Sequence, residues 1–461
     1  MRSSFSQLAY ASADDLVFGT APKPVRLANG MVIGGGQVLP EVNFTLPPMD
    51  INQDTMPDVL AQYKDMVSGI LTRAYELSVP ALMLEVELLP PMTNTPRWGI
   101  DVIKTVKDVM ADFEANKGLF VGLRVTPNDT REFERPTRMR SGKYLDAMLE
   151  TFAGVADAGA DLLSIESTGG KELHDEALIR GDLKGVIFAL AVMGARDMEF
   201  LWSNICSLAE STGKIAAGDT ACGFGNTAMV LADKGYIPRL FAAIVRVATV
   251  ARSLVAYEVG AIGPSKDCAY EGPYIKAITG YPIAMEGRMS ACAHLSPLGN
   301  IAGAVCDLWS NESVQNIKLL GGMAPTVSLE QLAYDCRLYN QAIKSGEAGV
   351  RQLRDWMVSS DALLDPQAYV LEPNFALKAS ESLIKGKTAY ERTKLAVATA
   401  LDLLKKAVDD GDLIIPEREK PWFAIMQSEL DSLPECEDEL WATIRAEYDI
   451  AAFTPGDYGL S

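Results

Sequence analysis

The chain has 461 residues, 48% of them hydrophobic, and a formal net charge of −19 from 42 basic and 61 acidic residues. So acidic a surface repels phosphates, which excludes nucleic acid and anionic membranes as partners, and the length exceeds the ~250 residues of a bare eight-stranded α/β barrel. Seven cysteines, odd in number and without a close CxxC pair, read as neither a disulfide framework nor a zinc ribbon and fit a reducing cytoplasm.

Met1 to Tyr10 is polar and lacks the apolar core of a secretory signal. Residues 1–36, with Pro22, Pro24 and the run Gly34, Gly35 and Gly36, read as an N-terminal arm leading to a strand near Gln37–Phe44. From Pro57 to Leu77 the apolar residues Leu60, Tyr63, Val67, Ile70, Leu71, Ala74 and Leu77 recur every three or four positions, which predicts a helix with one buried stripe. Ala81–Leu88 and Leu119–Val125 are short and rich in branched residues, as buried parallel strands are, and a helix over Ile100–Glu114 joins them.

The alternation continues with a helix at Lys143–Ala158 and a strand at Asp161–Ile165 that ends on Glu166. Helices at Leu183–Gly194 and Glu199–Glu210 precede a strand near Lys214–Thr220, which delivers Cys222. Helices within Thr227–Lys234 and Ile237–Val255 lead to a strand around Ala256–Ile262 and then to Cys268; the last two strands are placed at Pro282–Met285 and Ile317–Leu320. The apolar stretch Ile237–Val259 is broken by Arg239, Arg246, Arg252 and Glu258, so no membrane span is expected and the protein reads as cytoplasmic.

Strand–helix alternation without a GxGxxG or Walker loop predicts an α/β fold, specifically a (β/α)8 TIM-type barrel, over an open doubly wound sheet. The expected division is an N-terminal arm at 1–36, the barrel at 37–344 and a C-terminal helical extension at 345–461, where Leu395, Leu401, Leu404 and Val408 form one face among many acids.

Glu166, Cys222 and Cys268 each fall where an apolar run breaks into a Gly- or Pro-rich turn, so consecutive strands would carry them to one rim of the barrel. Two thiolates and a carboxylate favour zinc and leave a fourth position for an exchangeable ligand, the pattern of a catalytic site. Each residue also has an ordinary reading: a free cysteine is commonly a small core filler, and a strand-end glutamate commonly caps the next helix. Cys206, Cys306, Cys336 and Cys436 lie in helical patterns and read as fillers. A competing ligand set pairs Cys292 with His294, which reads better as a rim loop residue, while His174 in KELHDEAL reads as exposed on a short helix. Glu85, Glu87, Arg124, Asp219 and Asp267 also stand at strand ends, where they could face a substrate or form salt-bridged layers. Asp219 and Asp267, each close to a proposed thiolate, are the candidates for proton donor or for carboxylates supporting the ligands.

The segments SIESTGG, GDTACGFGNTAM, GPSKDCAYE, MSACAHLSPLGN and CDLWSNESV, in this order, resemble those of the zinc-dependent methanol:corrinoid methyltransferases. The resemblance runs from the first strand to the last. It implies an α/β barrel, one zinc ion on Glu166, Cys222 and Cys268, and a homodimer that docks a cognate corrinoid protein. The implied activity is transfer of the methyl group of methanol to the partner's cob(I)alamin. A methyltransferase using an aryl methyl ether, or a barrel whose zinc is structural and which only scaffolds the corrinoid protein, stand as alternatives.

Overall fold

The computed structural model describes residues 5–268, 270–313, 318–319 and 321–461, and at positions 267 and 291 the backbone only. Residues Thr20–Arg26 (β1) and Val32–Gly35 (β2) pair as an antiparallel hairpin. Eight parallel strands follow: Leu39–Phe44 (β3), Ala81–Leu88 (β4), Phe120–Pro127 (β5), Leu162–Ile165 (β6), Ile215–Asp219 (β7), Ser265–Asp267 (β8), Ile283–Glu286 (β9) and Leu308–Ser313 (β10). They run in the order β7-β6-β5-β4-β3-β10-β9-β8. At the seam between β7 and β8 the Ile262 N–H donates to the Ala216 carbonyl at 3.0 Å, so the sheet is nearly closed into a TIM-type barrel.

The pleat decides which side chains enter the barrel. In β4 (ALMLEVEL) Leu82, Leu84, Val86 and Leu88 are buried toward the helices, while Met83, Glu85 and Glu87 line the interior. Polarity rises along the barrel axis. At the bottom, Leu39, Ala81, Met83, Leu162, Ala217, Ala284 and Leu308 form an apolar cluster plugged by Leu27, Met31 and Ile33 of the hairpin. Above them Arg124 donates to Glu41 at 2.7 Å, to Ser164 Oγ at 2.9 Å and to the Pro264 carbonyl at 2.8 Å, all fully buried. The layer nearest the C-terminal rim holds Asn43, Glu85, Glu87, Thr126, Lys266 and Glu286.

Helices Met56–Glu76, Pro96–Lys117, Lys143–Asp157 and Ala195–Thr212 wrap the first half of the barrel. The predicted break between Leu183–Gly194 and Glu199–Glu210 is not a loop: helix Leu183–Phe188 passes through a π-helical turn, Ala189–Gly194, into helix Ala195–Thr212. Among the described residues one stretch, Arg239–Glu258, is long and apolar enough to cross a membrane, and its most apolar window of 18 residues is wholly buried within the fold.

Three expectations change. The arm contains a hairpin; among the described residues β1 has β2 as its one strand partner, and Pro22 and Pro24 are tolerated on such an edge strand. The strand placed at Ala256–Ile262 is instead the end of helix Val250–Glu258 and a turn; the true strand is the polar tripeptide Ser265–Asp267. The eighth barrel strand is Leu308–Ser313, not Ile317–Leu320. Of the latter segment, Lys318–Leu319 pairs antiparallel with Gly322–Met323, and Ile317 and Leu320 lie outside the described residues.

Beyond Lys344 the described elements are helical: Glu347–Asp361, Pro373–Leu383, Ala389–Asp410, Pro421–Asp431 and Glu437–Glu447 are the longer ones. The buried face of Ala389–Asp410 includes Ala396, Val397, Ala400, Leu401 and Leu404, while Leu395 is exposed. The final segment returns to the barrel, with Met139 N–H donating to Asp457 at 2.7 Å and Gly170 N–H to the Tyr458 hydroxyl at 3.1 Å.

Candidate metal centre

Glu166 follows the last residue of β6, Cys222 opens the helix Cys222–Asp233 just after β7, and Cys268 follows β8. One donor atom from each lies within 4.8 Å of the other two. The three residues read from the sequence as a set therefore meet at the C-terminal mouth of the barrel. Cys222 and Cys268 are buried, and Glu166 keeps 36% of its side-chain surface exposed toward the rim. The two sulfurs are joined as a disulfide, with Cα atoms 5.9 Å apart. This departs from the expectation of free thiols, and a metal ion would take both sulfurs only after reduction to thiolates. The donor set then fits zinc: two soft sulfurs and one carboxylate oxygen. Cys222 is suited to the thiolate form by its place at a helix N-terminus, where unpaired N–H groups favour negative charge.

The loop that carries Glu166 is fixed residue by residue. Ser167 N–H donates to Asp219 at 3.3 Å, while Arg252 donates to the Ser167 carbonyl at 2.9 Å and to its hydroxyl at 2.6 Å. Thr168 donates from backbone and hydroxyl to Asp129, at 2.9 and 3.1 Å. Asp129 is in turn gripped by Arg131, which also binds Asp197 through two contacts of 2.9 Å. Gly170, at φ +88°, packs so tightly on the π-helical turn that a Cβ there would stand 2.6 Å from the Ala189 carbonyl oxygen. Such turns recur at functional sites.

These contacts settle where Asp219 points. One oxygen accepts from Ser167 N–H and faces Arg252 at 3.4 Å; the other accepts from the Trp202 indole at 2.9 Å. Its carboxylate is occupied in anchoring the Glu166 loop. The Asp267 side chain lies outside the described residues. Cys292 is buried with its sulfur 2.8 Å from Ser290 Oγ, and His294 is exposed, so neither joins the three donors. His174 is fully buried rather than exposed: its ring sits edge-on to Phe224 at 5.0 Å, and burial lowers its pKa.

Sequence reasoning named Glu85 and Glu87 as possible members of a salt-bridged layer but missed Lys266 and Glu286, which join them around the site from inside the barrel. Lys266 of β8 reaches Glu85 at 3.7 Å, Glu166 at 3.4 Å and Glu286 at 3.5 Å, and it hydrogen-bonds Glu87. Burial works against the lysine charge, yet these glutamates hold its pKa well above the ordinary value. Burial pushes Glu166 up to about 7 and Glu85 up to about 8, with Lys266 pulling both the other way. Burial also takes Glu286 well above the ordinary range, helped by repulsion from Glu312, Glu166 and Glu87. At Glu87 burial is outweighed by the Lys266 ammonium and by hydrogen bonds from Lys266 and Asn43, which leave it lowered and ionised. The available signal was the position of Lys266 in GPSKDCAYE and of Glu286 at the end of the strand it closes.

A parallel barrel presenting a carboxylate and two sulfurs at its C-terminal rim defines an enzyme of the strand-end type, in which side chains on several βα loops share one site. Comparison with known proteins makes the class definite: the profile described as methanol-cobalamin methyltransferase B subunit matches residues 2–459, and the chain belongs to that family. It is 36% identical over 461 residues to the methanol–corrinoid protein co-methyltransferase of Methanosarcina barkeri, with 99% of each chain covered. The crystal structure of the methanol:cobalamin methyltransferase complex from Methanosarcina barkeri contains a chain that superposes with a TM-score of 0.93 at 36% identity, covering 99% of this chain and all of that one.

Proposed function

We propose that this chain transfers the methyl group of methanol to the cob(I)alamin of a cognate corrinoid protein, with one zinc ion held by Glu166, Cys222 and Cys268. The observation that carries the reading is the convergence of those three donors within 4.8 Å at the open end of the barrel. Hydroxide is a poor leaving group, so the reaction needs an electrophile at the alcohol oxygen and a strong nucleophile at the carbon. Bound here, zinc supplies the Lewis acidity. In balance, the methyl carbon passes to reduced cobalt, the C–O bond breaks, and one proton converts the departing hydroxide to water.

The chain's own residues prepare the site. Asp219, Arg252, Asp129 and Tyr458 hold the loop behind Glu166, so the backbone that carries this carboxylate is placed before any ligand arrives. We assign Asp219 to positioning and leave Asp267 as the candidate proton donor. The corrinoid protein docks on the rim, and the family relationship supports a homodimer within a larger hetero-oligomer working in the cytoplasm.

The test is the absorption spectrum of cob(I)alamin mixed with reduced, zinc-loaded protein as methanol is added. Conversion to methylcobalamin is expected. Conversion only with a methoxyaromatic donor would move the assignment to an ether demethylating enzyme, and no turnover with either donor would leave a scaffold.

A further inference from the structure

We propose that Lys266 is a positioning residue for Glu166, gripping that carboxylate from inside the barrel so that the oxygen donor is in place when a metal ion arrives. The inference rests on the zinc reading above and names a residue that supports it. Lys266 stands on β8 in register with Ala284 of β9, which turns its side chain into the barrel, and only 3% of that side chain is exposed.

Its ammonium is not free to follow Glu166; it is itself fixed. Glu87 receives a hydrogen bond from it and another from Asn43 at 2.8 Å, while Glu85 is tied to Thr126 at 2.8 Å. Glu85 and Glu87 sit on β4 and Glu286 on β9, so three glutamate side chains on rigid strands triangulate one cation. Glu166 differs from these three, because it lies beyond the end of its strand with 36% of its side chain exposed. Among the described residues Lys266 is its one polar partner, at 3.4 Å from Oε1. Without that contact a long, partly exposed side chain would sample its rotamers, and ordering it would fall to the metal. Groups that orient a ligand in this way typically change metal affinity 10–100-fold when removed.

A purely structural role is the competing explanation: one ammonium would simply balance the surrounding acids. Two variants separate the roles. Lys266→Met removes the grip and leaves Glu87 uncompensated; Lys266→Met combined with Glu87→Gln removes the grip and the opposite charge together. Zinc affinity is read by competition with a chelator of known affinity under reducing conditions, and folding by circular dichroism and thermal melting. The expected result is that the double variant regains the thermal stability lost in Lys266→Met while both bind zinc about 10–100-fold more weakly than the unmodified chain. Lys266→Arg, which keeps charge and donors, recovers part of the affinity.

A folded double variant with unmodified affinity would overturn the positioning role, as would failure of both variants to fold, which would make Lys266 a folding residue. If the unmodified reduced chain takes up no zinc, the zinc reading itself fails and this inference with it. The two failures are therefore distinguishable.

Discussion

Replacing Asp219 with Asn distinguishes a carboxylate that holds the site from one that delivers a proton. The structure commits both oxygens of Asp219, to Trp202 at 2.9 Å on one side and to Ser167 N–H and Arg252 on the other. An asparagine oxygen satisfies one of these sides, and its NH2 group then faces donors on the other. The buried Arg252 guanidinium loses its counter-ion. Breaking a buried pair costs about 3–5 kcal/mol, and the lower end applies because Arg252 keeps the Ser167 carbonyl and hydroxyl and lies 4.7 Å over the Phe224 ring. Chemical denaturation of the two proteins should therefore differ by about 3 kcal/mol. Turnover at saturating zinc should fall less than about tenfold, whereas loss of a positioned proton donor costs about 10²–10⁴-fold. An unchanged denaturation midpoint with a hundredfold loss of turnover would refute this reasoning.

Asp129 gives a pH-dependent counterpart. Burial would raise its pKa, but Arg131 and the Thr168 backbone hold it below the ordinary aspartate value, so its contribution is present above that value and lost as pH falls through the depressed one. The stability advantage of the unmodified chain over Asp129→Asn should therefore shrink as denaturation is repeated from neutral toward about pH 3; an advantage that grows on acidification would contradict it. Gly170→Ala forces an alanine into a left-handed conformation and against the Ala189 carbonyl, so a loss of more than about 1–2 kcal/mol is expected by thermal unfolding. Tyr458→Phe leaves the Gly170 N–H without its acceptor and should cost about 1–3 kcal/mol, with amide exchange at Gly170 accelerated.

How much of this was legible beforehand varied with chemistry rather than with length. Ala81–Leu88 was readable to the residue because ALML is continuously apolar, as a strand buried on both faces requires, and Val86 and Leu88 carry the apolar outer face on past Glu85 and Glu87. β8 and β10 escaped for the opposite reason. SKD and LWSNES turn Lys266, Ser310 and Glu312 toward the barrel interior, so the residues that build the site are those that erase the strand signal. Glu166, Cys222 and Cys268 could be found because each marks a change from apolar run to turn. His174 was misplaced because its neighbours in KELHDEAL are charged, while the buried face of that helix is made by Leu173, His174, Ala177 and Leu178 against Phe224. Lys266 joins Glu85, Glu87 and Glu286 only once β4, β8 and β9 are brought together, a long-range arrangement no local pattern encodes.

The central claim is that Glu166, Cys222 and Cys268 hold one zinc ion, and X-ray absorption at the zinc edge tests it most directly. Reduced, zinc-loaded protein should show two sulfur scatterers near 2.3 Å and oxygen or nitrogen scatterers near 2.0–2.2 Å, roughly the ordinary zinc distances, and one sulfur should vanish in Cys222→Ser or Cys268→Ser. A shell without sulfur, or one unchanged in both variants, would contradict it.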